Sequence, residues 1–580
     1  MGLLEGISDP ADLRDLTASQ LDDLAAEIRQ RLIDAVAVNG GHLGPNLGVV
    51  ELTLAVHRVF DSPDDIVLWD TGHQAYVHKI VTGRRDEFSG LRQAGGLSGY
   101  PSRQESAHDW VENSHASTIL SYAHGIATAL ESNDIDRRVV AIIGDGSMTG
   151  GMAFEGLNNL GLTGRRCVII LNDNGRSYAP TSSKLGESLA KLRSDPRWVR
   201  NRARLERIIE SLPLGQRLHR GLESAEAAVR EMWEPVPFFE PLGVRYIGPI
   251  DGHDIEGLES TLRNAAAWNG PIVVHVHTQK GRGYGPALAD DEKVLHDTGI
   301  FDPETGTPRS AGGPSYTGAF SDALVRLGDG DKRIIAITAA MPGSTGLLPF
   351  ADKFPDRFLD VGIADQHAVT AAAGMAMIGM RPVCAIYSPF LTRAFDQLFY
   401  DVALHQQPVV FAIDRAGVTG PDGASAHGVL DMALLTKVPG MTMFAPSSAQ
   451  ELEVMLESCL SITDGPSAVR FPRTAARSVE PHQVGSGLQA RRAVAGSETN
   501  EVCILSVGKM LAACEETAPS LGATVWDVRC VKPLDEEMLR DAAGHRLVVT
   551  VEDGIRTGGI GMQIQDAIAA LDGSRRARRS

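Results

Sequence analysis

The chain has 580 residues, too many for one hydrophobic core, which stops growing at about 250–300 residues. Hydrophobic residues make up 43% and charged residues 22%, a globular balance that excludes wholesale disorder. Fifty-five Lys+Arg against 73 Asp+Glu give a formal charge of −18, which argues against a nucleic-acid partner.

In chain order, Gln20–Asn39 reads as the first amphipathic helix. Strands are predicted at Val139–Ile143, Cys167–Leu171, Ile272–His277, Ile334–Thr338, Val383–Tyr387, Val409–Ile413, Val502–Val507, Thr524–Val528 and Leu547–Val551. A second helix is expected at Gly318–Leu327. Most of the strand runs are continuously apolar, as parallel strands covered on both faces are. The expected fold class is therefore α/β, doubly wound. The stretch Phe301–Ser315 is rich in Pro, Gly and Ser and reads as a linker, and Arg477–Asn500 is a weaker break. Three domains follow: 1–300, 315–477 and 490–580. An Arg-, Leu- and Glu-rich helical insertion, 183–240, interrupts the first. Arg575, Arg576, Arg578 and Arg579 read as a solvated tail. Six scattered cysteines without a CxxC read as buried small hydrophobes in a reducing compartment. The N-terminus has no signal-peptide pattern and no apolar run is long enough to cross a bilayer, so a cytoplasmic protein with no membrane partner is expected.

The sharpest local signal is Gly144-Asp145-Gly146, directly after an apolar strand. A second strand ends at Asn172-Asp173-Asn174, with Asn174 placed 28 residues after Gly146. Open α/β sheets bind ligands at such strand ends. Asp145 and Asn174 offer one anionic and one neutral oxygen, a set that suits Mg²⁺ sharing its shell with phosphate oxygens and water. Glycines beside the acid let backbone N–H groups approach a diphosphate.

This GDG-x(27)-N pattern resembles the thiamin-diphosphate motif. Further segments are similar to the 1-deoxy-D-xylulose-5-phosphate synthase family of the transketolase superfamily, in unbroken order over nearly the whole chain. They include Gly40–Glu51, Trp69–Arg84, Ser114–Thr118, Gly248–His253, Lys280–Tyr284, Asp360–Thr370, Ile386–Gln397, Phe411–Gly417, Asp464–Arg473 and Val531–Leu534. The resemblance implies a transketolase-like thiamin-diphosphate-binding fold of three α/β domains. It implies thiamin diphosphate and Mg²⁺ as cofactors and a homodimer. The implied reaction condenses pyruvate with D-glyceraldehyde 3-phosphate to 1-deoxy-D-xylulose 5-phosphate and CO₂, feeding isoprenoid, thiamin and pyridoxal precursors.

It also implies roles for individual residues. Asp145, Asn174 and the Arg176 carbonyl match the metal ligands, with Gly146 and Ser147 in the same turn. His73, Ser114, His115 and Lys280 fall where the family contacts the diphosphate or thiazolium. Phe390 matches the aromatic that stacks on the aminopyrimidine, and Asp365 the acid that bonds its ring nitrogen. His42 lies at the reacting carbon. Arg415 and Arg473, helped by Tyr387 and Arg393, match the holders of the acceptor phosphate, a task that suits the planar guanidinium. His57, His78, His253 and His367 stay ambiguous. His275 and His277, alternating along one strand, are expected in core or edge positions.

Three departures from the family pattern stand out. The run IADQHA carries Asp365 where the family has Glu, a carboxyl set back by roughly 1.3 Å. The run DGASAHG places Ala426 at the family's histidine, with His427 one step later as the candidate substitute. After Gly558–Leu571 the family continues with another strand and helix, whereas this sequence reads GSRRARRS, so a shortened third domain is expected. These departures keep two alternatives open: a related carboligase with another acceptor, or a weakly active paralogue with a binding role.

Overall fold

The computed structural model describes residues 2–112, 114–176, 238–309, 313–497 and 501–576. Most of the expected insertion, 183–237, lies outside the described residues. Internal contacts divide the chain into two compact units, Met1–Arg309 and Ser310–Ser580.

In the first unit five strands form one parallel sheet: β1 (Ile66–Trp69), β2 (Val139–Gly144), β3 (Cys167–Asp173), β4 (Arg245–Asp251) and β5 (Pro271–His277), in the order β1-β2-β3-β5-β4. Strands β1, β3 and the body of β2 are buried along their length, because helices cover both sheet faces. One of these helices, Ala18–Asn39, begins at a capping box in which the Thr17 hydroxyl accepts the Gln20 N–H and the Gln20 side chain accepts the Thr17 N–H. It stops at Gly40, whose φ of +72° turns the chain toward His42.

The second unit runs through β6 (Ile334–Thr338), β7 (Phe358–Asp360), β8 (Arg381–Tyr387), β9 (Val410–Asp414), β10 (Thr442–Phe444), β11 (Ser467–Arg470), β12 (Arg491–Val494), β13 (Val502–Ser506), β14 (Thr524–Asp527), β15 (Cys530–Lys532) and β16 (Leu547–Val551). Seven of them make a sheet of order β15-β10-β11-β9-β8-β6-β7, in which only β15 runs antiparallel. The other four form a sheet of order β12-β14-β13-β16, with β12 antiparallel and β16 at an edge. Strand β15 therefore leaves the chain's last sheet to extend the larger one. The fully buried Arg529 just before it pairs with Glu451 of the helix Ala449–Ser461.

Every predicted strand run is a strand, displaced by a few residues at the ends. All six cysteines are free and buried, and burial pushes the thiols of Cys167, Cys384, Cys459, Cys503 and Cys530 up to about 12. Among the described residues no helix is long and apolar enough to cross a membrane.

Candidate active site

In the first unit the candidate residues gather where β1, β2, β3 and β5 end. Asp145 follows β2 and is buried; its N–H donates to the Asn172 carbonyl of β3. Asn174 follows β3, and its side-chain oxygen accepts the Arg176 N–H, an Asx turn that points the 174–176 backbone back toward the strand end. The segment Ser114–His115 is fixed by neighbours. Asp70, at the end of β1, accepts the N–H groups of Ser117 and Ile119 at 2.8 and 3.1 Å. The Ser117 hydroxyl donates to the Ser147 carbonyl at 2.6 Å, which ties this segment to the Gly146–Ser147 turn. Buried Ser114 Oγ and His73 Nδ1 have no hydrogen-bond partner among the described residues.

His42 and His73 are brought together by Asn46, whose amide donates to both main-chain carbonyls at 2.6 and 2.8 Å. Their rings lie 5.7 Å apart. His296 completes a triangle with them, stacked on His73 at 5.2 Å and edge-on to His42 at 5.9 Å. Lys280 Nζ lies 2.8 Å from His296 Nδ1. Tyr76 and Tyr100 complete the ring cluster around His42. Burial holds the His73 imidazole well below its ordinary value, with nearby His42 and Lys280 adding to it. Burial also lowers Lys280 to about 7, helped by Arg176 and opposed by Asp145. An anion bound beside Lys280 would oppose this lowering and favour the charged lysine. A cavity of about 640 Å³ opens beside Asn174, Arg176 and Lys280.

His296 was not singled out in the sequence, nor were Asn46 and Asp70. The ambiguous histidines fall outside this cluster. His57 and His78 bond to each other and onward to Asp109 and Arg84 in the core. His253 bonds Glu51, and His367 is exposed. His275 is buried between Tyr246 and Asp173, and His277 is exposed. Cys503, Asp541 and His545 also approach one another closely enough for a metal, but the His545 ring already meets the Asp541 carbonyl and the Thr524 hydroxyl.

The second unit holds the remaining candidates. Asp365 opens the helix Asp365–Met377 and is 3% exposed. Its Oδ1 has no hydrogen-bond partner among the described residues, and its Oδ2 lies 4.0 Å from Arg393. Burial raises its carboxyl to about 6, although Arg393 pulls the other way. The half-buried Phe390 stacks on Tyr387 at 5.6 Å, and the Arg415 guanidinium sits 4.2 Å from the Tyr387 ring centroid. Arg415 (φ +58°) is braced by Asp414 at 2.8 Å and by the Ser344 carbonyl at 2.5 Å. Arg473 pairs with Asp422 at 2.7 Å. Ala426 lies in the short turn Ala424–Ala426, and His427 Nδ1 meets the Thr419 N–H and hydroxyl at 3.2 and 3.0 Å.

Comparison with known proteins follows the same division. The family profile described as 1-deoxy-D-xylulose-5-phosphate synthase matches residues 4–278. The transketolase pyrimidine-binding domain matches 313–478 and the transketolase C-terminal domain 492–579. A 1-deoxy-D-xylulose-5-phosphate synthase of Mycolicibacterium vanbaalenii is 50% identical over 574 residues, covering 98% of this chain and 90% of that protein. The enzyme of the same name from Thermobifida fusca is 50% identical over 582 residues, covering 99% and 91%. Among solved structures, a transketolase from Leishmania mexicana aligns with a TM-score of 0.39 and 17% identity, covering 93% of this chain and 91% of that one.

Proposed function

The chain belongs to the 1-deoxy-D-xylulose-5-phosphate synthase family, and from that membership we propose that it joins a two-carbon unit from pyruvate to D-glyceraldehyde 3-phosphate with release of CO₂. The observation that carries the reading is Asp365: a buried carboxyl with an unpartnered oxygen and a raised proton affinity. Such a group is suited to donate a hydrogen bond to a ring nitrogen, because at neutral pH it keeps a substantial protonated fraction. The donor set fits thiamin diphosphate with Mg²⁺. What that cofactor supplies, when bound, is a nucleophilic ring carbon and an electron sink for decarboxylation.

The chain's own residues supply the rest. Asp145, Asn174 and the Arg176 carbonyl would hold the metal. Lys280, Ser114, His115 and His73 would hold the diphosphate, to which the orphaned Ser114 hydroxyl can donate. Phe390 offers an aromatic face to the aminopyrimidine. His42, flanked by His296, moves protons at the substrate carbonyl oxygen. Arg415 and Arg473, with Tyr387 and Arg393, bind the acceptor phosphate by charge and paired N–H donors. His427 stands in for a histidine at 426, with Nε2 as its working nitrogen, since Nδ1 is occupied by Thr419. Three domains, a cytoplasmic setting and a homodimer belong to this reading, and the six free buried cysteines support the setting.

The test is turnover of pyruvate with D-glyceraldehyde 3-phosphate, with thiamin diphosphate and Mg²⁺ added, followed by CO₂ release and product identification. Formation of 1-deoxy-D-xylulose 5-phosphate is expected; no acceptor-dependent product overturns the reading. A second reading, transfer to a different acceptor, draws on Ala426, because that substitution lies on the acceptor side. A panel of aldehydes and 2-oxo acids separates the two.

A further inference from the structure

The loop after β9 begins at Arg415 and returns at Gly428. Its neck is closed by two backbone bonds, Gly417 N–H to the Gly428 carbonyl at 2.7 Å and Gly428 N–H to the Gly417 carbonyl at 2.9 Å. Between the two lie Asp422, which grips Arg473, and His427. This neck is not held by the seven-stranded sheet alone. The Val418 N–H donates to Asp553 Oδ1 at 3.0 Å. Asp553 follows β16 of the four-stranded sheet. Its other oxygen, Oδ2, pairs with Lys509 at 2.5 Å, just beyond the end of β13. The Asp553 carbonyl accepts from Arg470 Nη2 at 3.0 Å, and Arg470 Nε reaches Asp431 at 2.7 Å. The packing at Gly417 is close enough that a Cβ there would lie 1.9 Å from Asp553 Oδ2.

The placement has a topological meaning. In the order β12-β14-β13-β16, the chain leaves β13 for β14 on one side and later returns to β16 on the other. The crevice beyond the carboxyl ends of β13 and β16 is where an open α/β sheet binds a ligand. Here Asp553 and Lys509 stand at that crevice, and Asp553 holds the Val418 N–H of the same chain.

We propose that Asp553, braced by Lys509, is a positioning latch through which the C-terminal sheet holds the acceptor loop 417–428 in its binding geometry. The proposal rests on the function proposed above for the loop side of the site. Asp553 touches neither substrate nor cofactor; it acts on Arg473 through Asp422, and on His427, by fixing the neck that carries them. A hydrogen bond to a charged group is worth about tenfold or more when lost. The latch is therefore specific: its loss weakens the acceptor and leaves pyruvate alone.

The experiment compares wild type with Asp553→Ala, Asp553→Asn and Lys509→Met. Wild-type turnover with D-glyceraldehyde 3-phosphate comes first; if it is absent, the functional reading fails, and the latch is judged by amide exchange alone. For Asp553→Ala, faster hydrogen–deuterium exchange is expected across 417–427, with β13 and β16 still protected. The KM for D-glyceraldehyde 3-phosphate should rise about tenfold, with the KM for pyruvate unchanged. Asp553→Asn keeps an acceptor for Val418 and should recover most of the loss. Lys509→Met should move both readouts in the same direction by less. Unchanged exchange in 417–427, or an equal rise in both KM values in a protein whose sheets stay protected, overturns the latch. If Asp553→Ala does not fold, Lys509→Met carries the same test.

Discussion

The candidate groups of the two units are held in different ways. In the first, His42, His73, His296, Tyr76 and Tyr100 pack ring against ring, and Asn46 and Asp70 fix the backbone beneath them. In the second, Asp365 is buried with one oxygen unpartnered among the described residues, and Arg393 stands 4.0 Å from the other. The first cluster packs ring on ring yet leaves Ser114 Oγ and His73 Nδ1 without partners among the described residues; in the second, the activating acid itself has the unpartnered oxygen. Both departures within the recognised motifs, Asp365 and Ala426, fall in the second unit. A shorter acid is tolerable where a ligand or a small helix shift can close the gap. It would be less so inside a packed ring cluster, where every neighbour would have to move.

The sharpest way to break this contrast is to remove the acid. Asp365→Ala should lower pyruvate turnover by about 10²–10⁴-fold, the range for a positioned acid–base group. A fall of less than about tenfold in steady-state assay would mean that Asp365 does not activate the cofactor. Next in size is His296→Ala, with an expected drop of about 100-fold in kcat/KM for pyruvate. An unchanged value would reduce His296 to packing against His73.

The third effect is on stability. Asp365 takes up its proton near 6 in the fold against an ordinary 3.8, so its burial costs nothing below about pH 3, where both states are protonated. As pH rises from about 4 to about 6 the unfolded state ionises while the folded state stays largely protonated, so stability falls across that window and levels off above about 6. The shift of roughly 2 units corresponds to about 3 kcal/mol at most. Asp365→Asn should therefore gain on wild type as pH rises from about 4 to 6, keep that margin above about pH 6 and lose it below about pH 3, by denaturant unfolding at each pH. Equal stability throughout would show that Arg393 neutralises the carboxylate better than the geometry suggests.

How much of this could be read beforehand depended on how local the signal was. Strands such as β2 and β3 announce themselves as buried apolar runs ending in acid or amide, and that ending is what marks Asp145 and Asn174 as candidates. Strands β7, β10, β11 and β15 have only three or four residues, too short for periodicity to register, and β15 joins its sheet through a non-local antiparallel pairing. His296 sits in a loop after Val294 and Leu295, both at positive φ, with no periodic neighbours. Its role depends on a contact with Lys280, sixteen positions away, that no spacing rule encodes. Asp553 could have been noticed: an acid directly beyond a parallel strand is the signal that exposed Asp145, and Glu552-Asp553-Gly554 repeats it after β16.

The smallest effect, and the one that bears most directly on the contrast, concerns Ala426. The short turn Ala424–Ala426 leaves this position half-buried, and the next residue, His427, has turned Nδ1 to Thr419. Adjacent side chains point apart, so if His427 serves the acceptor it would do so from a different direction than a histidine at 426. Ala426→His should raise kcat with D-glyceraldehyde 3-phosphate by about tenfold, short of the 10²–10⁴ of a fully positioned group, because His427 already does part of the work. The rate of CO₂ release from pyruvate without acceptor should not change. Combined with His427→Ala, the substitution distinguishes two arrangements. If Ala426→His restores what His427→Ala removes, the two positions serve one role, and the second unit's site tolerates a one-residue displacement of its proton donor. If both substitutions leave acceptor turnover unchanged, the loop contributes binding through Arg473 and no proton transfer, and neither position 426 nor 427 does acid–base work on the acceptor.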